Sequence, residues 1–141
     1  MIFRALMVAI ALYLPSCANA QTLVSEDYFV ESSSGLDIFV RNKRLAGQTE
    51  FLAEKTLLFV HGATYPASPM FDLELDGLSW MDYIASRVHD VYLMDLPGYG
   101  RSESPPELYR PAEDNSPVMK TADAVREFGI VVDNILSRRG L

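Results

Sequence analysis

The residues that could do chemistry fall in two short segments of the chain. Residues 57–65 read L-L-F-V-H-G-A-T-Y, in which an apolar run leads directly into His61 and Gly62. Residues 91–102 read V-Y-L-M-D-L-P-G-Y-G-R-S, in which a second apolar run ends at Asp95. A histidine and a carboxylate at the ends of buried strands could act as proton-transfer groups, or they could hold loops by hydrogen bonds.

The elements that must position these segments are strands alternating with helices. Residues 27–34 and 36–41 are rich in aromatic and β-branched residues and flank Gly35, which predicts an antiparallel hairpin. Continuous apolar runs predict two further strands, 55–60 and 91–95, each buried on both faces. This order is typical of an α/β protein with parallel strands and flanking helices.

Two helices and two loops complete the predicted arrangement. A capping box beginning at Ser79 predicts a short helix to about Arg87, and a longer helix is predicted over residues 121–139 with Gly140 as its stop. Residues 65–76 and the proline-rich residues 104–117 are predicted as loops. The apolar face of the long helix is expected to comprise Val125, Phe128, Val132 and Ile135.

The two segments, in this order behind a hairpin, resemble the front half of an α/β-hydrolase. The resemblance covers residues 28–141 and implies the N-terminal half of such a sheet, hence an incomplete fold. It also implies hydrolysis of an ester-like small-molecule substrate by a serine nucleophile. The family's G-x-S-x-G elbow does not occur in the 141 residues, and the triad residues follow that elbow in the family's chain order. Two alternatives stay open: a non-catalytic truncated product, or an aspartate nucleophile as in dehalogenases and epoxide hydrolases.

The resemblance assigns roles to residues of the first segment. His61 and Gly62 correspond to the family's HG turn, in which the histidine holds the loop by hydrogen bonds. The backbone N–H of Ala63 is the implied donor to an oxyanion hole, and Thr64 is the second candidate. His89, the other histidine, precedes a predicted strand and is expected to be a surface turn residue.

In the second segment, the resemblance makes Asp95 mainly a structural anchor for the turn that follows it, with a role as an acid partner as the alternative. Gly98 and Gly100 are expected to supply the backbone freedom of that turn. Residues 98–103 do not match the dinucleotide-binding pattern G-x-G-x-x-G, because Glu103 occupies the position of the third glycine. No cofactor is predicted.

The first twenty residues resemble a secretory signal peptide. Arg4 precedes an apolar run over residues 5–14, and an A-x-A cleavage pattern ends at Ala20. The run is too short to span a membrane, so residues 21–141 are predicted as a secreted or periplasmic partial α/β-hydrolase domain without a stable membrane span. A lipoprotein anchored through Cys17 is the less favoured alternative.

Composition excludes several other classes of function. The chain carries 19 acidic against 12 basic residues, a net charge of -7, so it lacks the basic surface with which proteins bind nucleic acids. One cysteine and two separate histidines do not form a recognisable metal-binding pattern, and no metal is predicted.

Overall fold

A four-stranded mixed sheet forms the centre of the computed structural model, which describes residues 22–141. The predicted signal peptide therefore lies outside the described residues. The strands lie in the order β1-β2-β4-β3. Their bounds are Leu23–Glu31 for β1, Asp37–Leu45 for β2, Thr56–Val60 for β3 and Asp90–Met94 for β4.

The hairpin of β1 and β2 is present, but its first strand ends earlier than the sequence predicted. The N–H of Ser32 donates to the carbonyl of Leu36 at 2.8 Å, and the N–H of Leu36 donates to the Ser32 hydroxyl at 2.8 Å. A serine side chain that bonds to the nearby backbone competes with the sheet ladder. The pairing of the two strands therefore stops at Glu31 and Asp37.

The parallel pair β3 and β4 carries both chemical segments. Val60 of β3 and Val40 of β2 both pair with Met94, so the parallel strands end level with each other. β4 is buried along its whole length, as predicted. β3 is only half-buried, because within residues 22–141 it has a neighbour on one side alone. The prediction that β3 is buried on both faces is therefore wrong.

Helices cover both faces of the sheet. The first two, α1 (Ala67–Phe71) and α2 (Trp80–Ala85), pack on the face that includes Phe39, and α3 (Thr121–Arg139) packs on the face that includes Ile38 and Val40. Adjacent strand residues point to opposite faces, so these residues define a separate core on each side.

The short helix α1 lies in the stretch 65–76, which the sequence predicted as a loop. Its five residues are too few for stability by themselves. The helix is held by tertiary contacts: the ring of Phe71 stacks on Phe59 of β3 with centroids 4.4 Å apart, and Ala67 is fully buried. The other predicted loop, 104–117, contains two single turns of 3-10 helix, Pro106–Tyr109 and Ala112–Asp114.

The long helix α3 has the predicted bounds but a different buried face. Val131 and Ile135 enter the core together with the carboxylate of Glu127, which is 3% exposed and accepts the N–H of Ser33 at 3.0 Å. Val125 is 64% exposed, which contradicts the predicted face. A purely apolar pattern cannot anticipate the buried carboxylate of Glu127, whose partner Ser33 lies in the hairpin turn.

Candidate active site

The candidate site lies at the edge of the sheet where the two parallel strands end. His61 follows β3 and Asp95 follows β4, so the parallel pairing brings the two segments side by side. Ligands of α/β proteins bind at this edge of the sheet. The two segments that sequence alone singled out are thus joined in one place.

His61 links the two strand ends with both of its ring nitrogens. The N–H of Leu96 donates to Nε2 at 3.0 Å, so Nε2 carries no proton. Nδ1 is then the protonated nitrogen of the neutral ring and donates to the carbonyl of Gly62 at 2.6 Å. The ring is 6% exposed and packs against Tyr99 with centroids 4.6 Å apart. Neither nitrogen is free to accept a substrate proton.

Asp95 holds the loops that surround the strand ends. Its side chain is fully buried. Oδ1 accepts the N–H of Ala67, the first residue of α1, at 2.7 Å, and Oδ2 accepts the N–H of Arg101 at 3.0 Å. Each carboxylate oxygen thus fixes one loop, and the geometry is that of an anchor.

The turn after Asp95 requires glycine at two positions. Gly98 has a φ of 85° and Gly100 a φ of 53°, in the left-handed region that favours glycine. A Cβ on Gly100 would lie 2.2 Å from Oδ2 of Asp95 and 2.7 Å from Cβ of Pro66. Both conformation and space therefore restrict position 100.

Ser102 completes the turn, and its role was not predicted from the sequence. Its hydroxyl donates to the carbonyl of Asp95 at 2.5 Å and accepts the N–H of Phe39 at 2.8 Å. The residue ties the turn to β2 and is 8% exposed. Its place as the last residue of the motif D-L-P-G-Y-G-R-S was the signal that could have identified it.

Arg101 connects this turn to the hairpin through an ion pair with Asp27. Its guanidinium donates to Asp27 at 2.6 Å and lies 4.0 Å from the centre of the Phe39 ring. The hydrogen bond from Arg41, with a further contribution from Arg101, lowers the pKa of Asp27 to about 2.

The loop after β3 presents the backbone N–H groups of Ala63 and Thr64. Ala63 and Thr64 are exposed, and within residues 22–141 neither N–H donates a hydrogen bond. The carbonyl of Ala63, in contrast, accepts the hydroxyl of Tyr99 at 2.9 Å. Free N–H groups on a loop held at its carbonyls are suited to bind an oxygen that carries negative charge.

The other histidine lies far from these groups along the sheet. His89 directly precedes β4, at the opposite edge from the site, and its Nδ1 lies 3.0 Å from the carbonyl oxygen of Arg87. It does not take part in the candidate site.

Two open hollows adjoin the site. One, of about 650 Å³, lies beyond Tyr99 toward the proline-rich segment. The other, of about 480 Å³, lies between β3 and α3 and is mostly apolar. The first is lined in part by Pro97, Tyr99, Leu108, Val118 and Met119, and the second by Leu58, Val60, His61, Leu96 and Phe128.

Over the described part of the chain, no three histidine, cysteine or acidic side chains come together as a metal site would require. Among the same residues, no helix has the length and apolar character needed to cross a membrane.

Comparison with known proteins identifies the fold. No protein-family model and no curated protein sequence matches the chain. A hypothetical protein from Pseudomonas aeruginosa superposes with a TM-score of 0.55 at 11% identity, over 94% of this chain and 36% of that one. An α-amino acid ester hydrolase superposes with a TM-score of 0.52 at 17% identity, over 89% of this chain and 22% of that one. Brefeldin A esterase, a bacterial homologue of human hormone-sensitive lipase, superposes with a TM-score of 0.49 at 20% identity, over 94% of this chain and 32% of that one.

The chain therefore spans 36% or less of the length of these structures. At such identities the likeness concerns the fold alone. It confirms the predicted fold class, an α/β arrangement in which helices flank a sheet of antiparallel and parallel strands.

Proposed function

We propose that this chain is the N-terminal part of a hydrolase that cleaves an ester-like bond in a small molecule. The observation that carries the proposal is the loop after β3, whose Ala63 and Thr64 N–H groups lack acceptors within residues 22–141. These N–H groups lie at the sheet edge where α/β proteins bind their ligands.

The chemistry requires such donors. When a serine oxygen attacks an ester carbonyl, the carbonyl oxygen becomes negatively charged, and rigid N–H groups stabilise that charge. The loss of one donor costs about 3–4 kcal/mol of transition-state stabilisation. Ala63 suits the position because its small side chain lets a substrate oxygen approach the backbone. The nucleophile and its histidine base are expected to follow residue 141, since the chain contains no G-x-S-x-G.

A labelling experiment on the complete reading frame tests the proposal. The full protein should hydrolyse p-nitrophenyl esters and should be labelled on a single serine by a fluorophosphonate. Substitution of the labelled serine by alanine should abolish both the hydrolysis and the labelling. Residues 1–141 expressed alone serve as the matched control and should show neither.

Two results would redirect the interpretation. Hydrolysis of haloalkanes or epoxides without fluorophosphonate labelling would identify an aspartate nucleophile on the same fold. A correctly folded full protein that is inert toward all three substrate classes would support the non-catalytic alternative.

Export is a separate proposal, based on residues 1–20 alone. The mature protein recovered from the periplasm or medium should begin at Gln21. An N-terminus that begins at Cys17 and carries lipid would instead establish the lipoprotein alternative.

A further inference from the structure

Tyr99 contacts the loop after β3 at a single polar atom. Its hydroxyl donates to the carbonyl oxygen of Ala63 at 2.9 Å, and its ring packs on His61. Gly98 and Gly100, both with positive φ, flank Tyr99 in the turn that presents it. The side chain is half-buried, and no sequence pattern assigned it a role.

Because the peptide bond is planar, the hydrogen bond from Tyr99 to the Ala63 carbonyl also orients the next N–H group. The Ala63 carbonyl and the Thr64 N–H belong to one peptide unit, and no cis peptide bond occurs within residues 22–141. In a trans unit the C=O and N–H bonds point in opposite directions. A hydroxyl that holds the carbonyl of Ala63 therefore also fixes the direction of the Thr64 N–H.

His61 acts on the preceding peptide unit in the same way. Its Nδ1 donates to the carbonyl of Gly62, which shares a peptide unit with the N–H of Ala63. Two packed rings thus hold two successive carbonyls, and the N–H groups on the far side of both units lack acceptors within residues 22–141. A hydrogen bond accepted by a carbonyl also polarises its amide and strengthens the N–H as a donor.

We propose that Tyr99 is a positioning residue that aims the Thr64 N–H into the oxyanion site, so that Ala63 and Thr64 act together as donors. This inference rests on the proposed function, because it assigns Thr64 as a donor beside Ala63 in that same site. Tyr99 itself touches neither substrate nor nucleophile in this role.

The variant Tyr99→Phe isolates the hydroxyl, because it retains the ring that packs on His61. In the full protein, kcat for a p-nitrophenyl ester should fall about three- to tenfold, the effect of one neutral hydrogen bond, while KM stays unchanged. Tyr109→Phe is the matched control, since Tyr109 is 79% exposed and makes no side-chain hydrogen bond within residues 22–141. It should leave kcat unchanged.

A second readout does not depend on activity. Ala-Thr occurs once in the 141 residues, at positions 63 and 64, so carbonyl-13C alanine with 15N-threonine labels this peptide unit, and loss of its signal in Thr64→Ser assigns it in the full protein. In Tyr99→Phe the Ala63 carbonyl and Thr64 amide resonances should both move upfield, whereas Tyr109→Phe should leave them in place.

The outcomes separate this inference from the proposed function. An active protein whose kcat and Ala63–Thr64 resonances are unchanged by Tyr99→Phe would overturn the inference and leave the hydrolase proposal standing. A fall in kcat with moved resonances would support both. If the wild type is inert, the hydrolase proposal fails and the role of Tyr99 in oxyanion binding fails with it, whatever the resonances show.

Discussion

The N–H of Leu96 donates to Nε2 of His61 at 3.0 Å, which joins the end of β4 to the end of β3 through one imidazole ring. Both strands stop level with each other, and the loops that follow them form the candidate site. The hydrogen bond uses the nitrogen that a general base would need. His61 is therefore part of the framework of the site, and the base of the proposed reaction must come from another residue.

The first prediction concerns this bond. His61→Ala should lower the free energy of unfolding by about 2–3 kcal/mol, because the buried N–H of Leu96 loses its acceptor. His89→Ala should change it by less than about 0.5 kcal/mol, since within residues 22–141 that ring makes one hydrogen bond, to the nearby carbonyl of Arg87. Urea unfolding of both variants gives the comparison. Equal losses in the two variants would show that the imidazole bridge contributes nothing specific.

The second prediction concerns the crowded turn. Gly100→Ala should destabilise the protein by about 3 kcal/mol or more, because the methyl group adds a clash with Asp95 to the strain of a positive φ. Gly35→Ala should cost about 1 kcal/mol, since that site has positive φ but nothing within 4 Å. The difference between the two, measured by urea unfolding, isolates the clash. It would vanish if the turn can shift to accommodate the methyl group.

The third prediction separates the two roles considered for Asp95. Asp95→Asn should cost about 2–3 kcal/mol of stability, because an amide can accept only one of the two N–H groups that the carboxylate now binds. Asp133→Asn, on the exposed side of α3, should be neutral. If Asp95→Asn instead kept full stability but abolished esterase activity in the full protein, the carboxylate would be acting in the chemistry.

The fourth prediction concerns alkaline pH. Burial raises the pKa of Tyr28 to about 12, and its hydroxyl has no hydrogen-bond partner within residues 22–141. The unfolded chain ionises this hydroxyl near its ordinary pKa of 10, before the folded protein does. The free energy of unfolding is therefore unaffected by this group below pH 10 and falls as the pH rises toward 12. Tyr28→Phe should therefore gain about 1 kcal/mol relative to wild type between pH 7 and pH 11. Parallel pH profiles for Tyr28→Phe and wild type would contradict the prediction.

The fifth prediction concerns the free edge of β3. Residues 22–141 expressed alone should self-associate, because the edge and the adjoining apolar hollow are uncovered in that piece. Val125→Glu, at the rim of the hollow, should weaken the association, and Tyr109→Glu, outside it, should not. Sedimentation equilibrium measures the self-association of both variants. A monomer with a sharp cooperative melt would contradict the prediction.

Sequence alone predicted the elements whose cause is local. The bounds of α3 were predicted correctly, since Gly140 ends it with a φ of 69°. The capping box at Ser79 is present, with its hydroxyl accepting the N–H of Asp82 at 3.0 Å. Turn chemistry and capping act over a few residues and are therefore visible in the sequence.

Features with a distant cause were missed. The buried face of α3 is set partly by Ser33, which binds Glu127 from a position 94 residues away. The helix α1 is held partly by Asp95, which accepts the N–H of Ala67 across 28 positions. The contact between Tyr99 and Ala63 likewise spans 36 positions. Such pairs follow from the topology of the sheet, which no local pattern encodes.

The topology of the sheet also sets an order of folding. β1 and β2 are neighbours in the chain and pair across a short turn, whereas Asn42 of β2 meets Asp90 of β4 only after 48 positions have been closed into a loop. Closure of a long loop is slower than formation of a local hairpin. The hairpin should therefore nucleate folding, and the loops at the ends of β3 and β4 acquire their geometry afterwards.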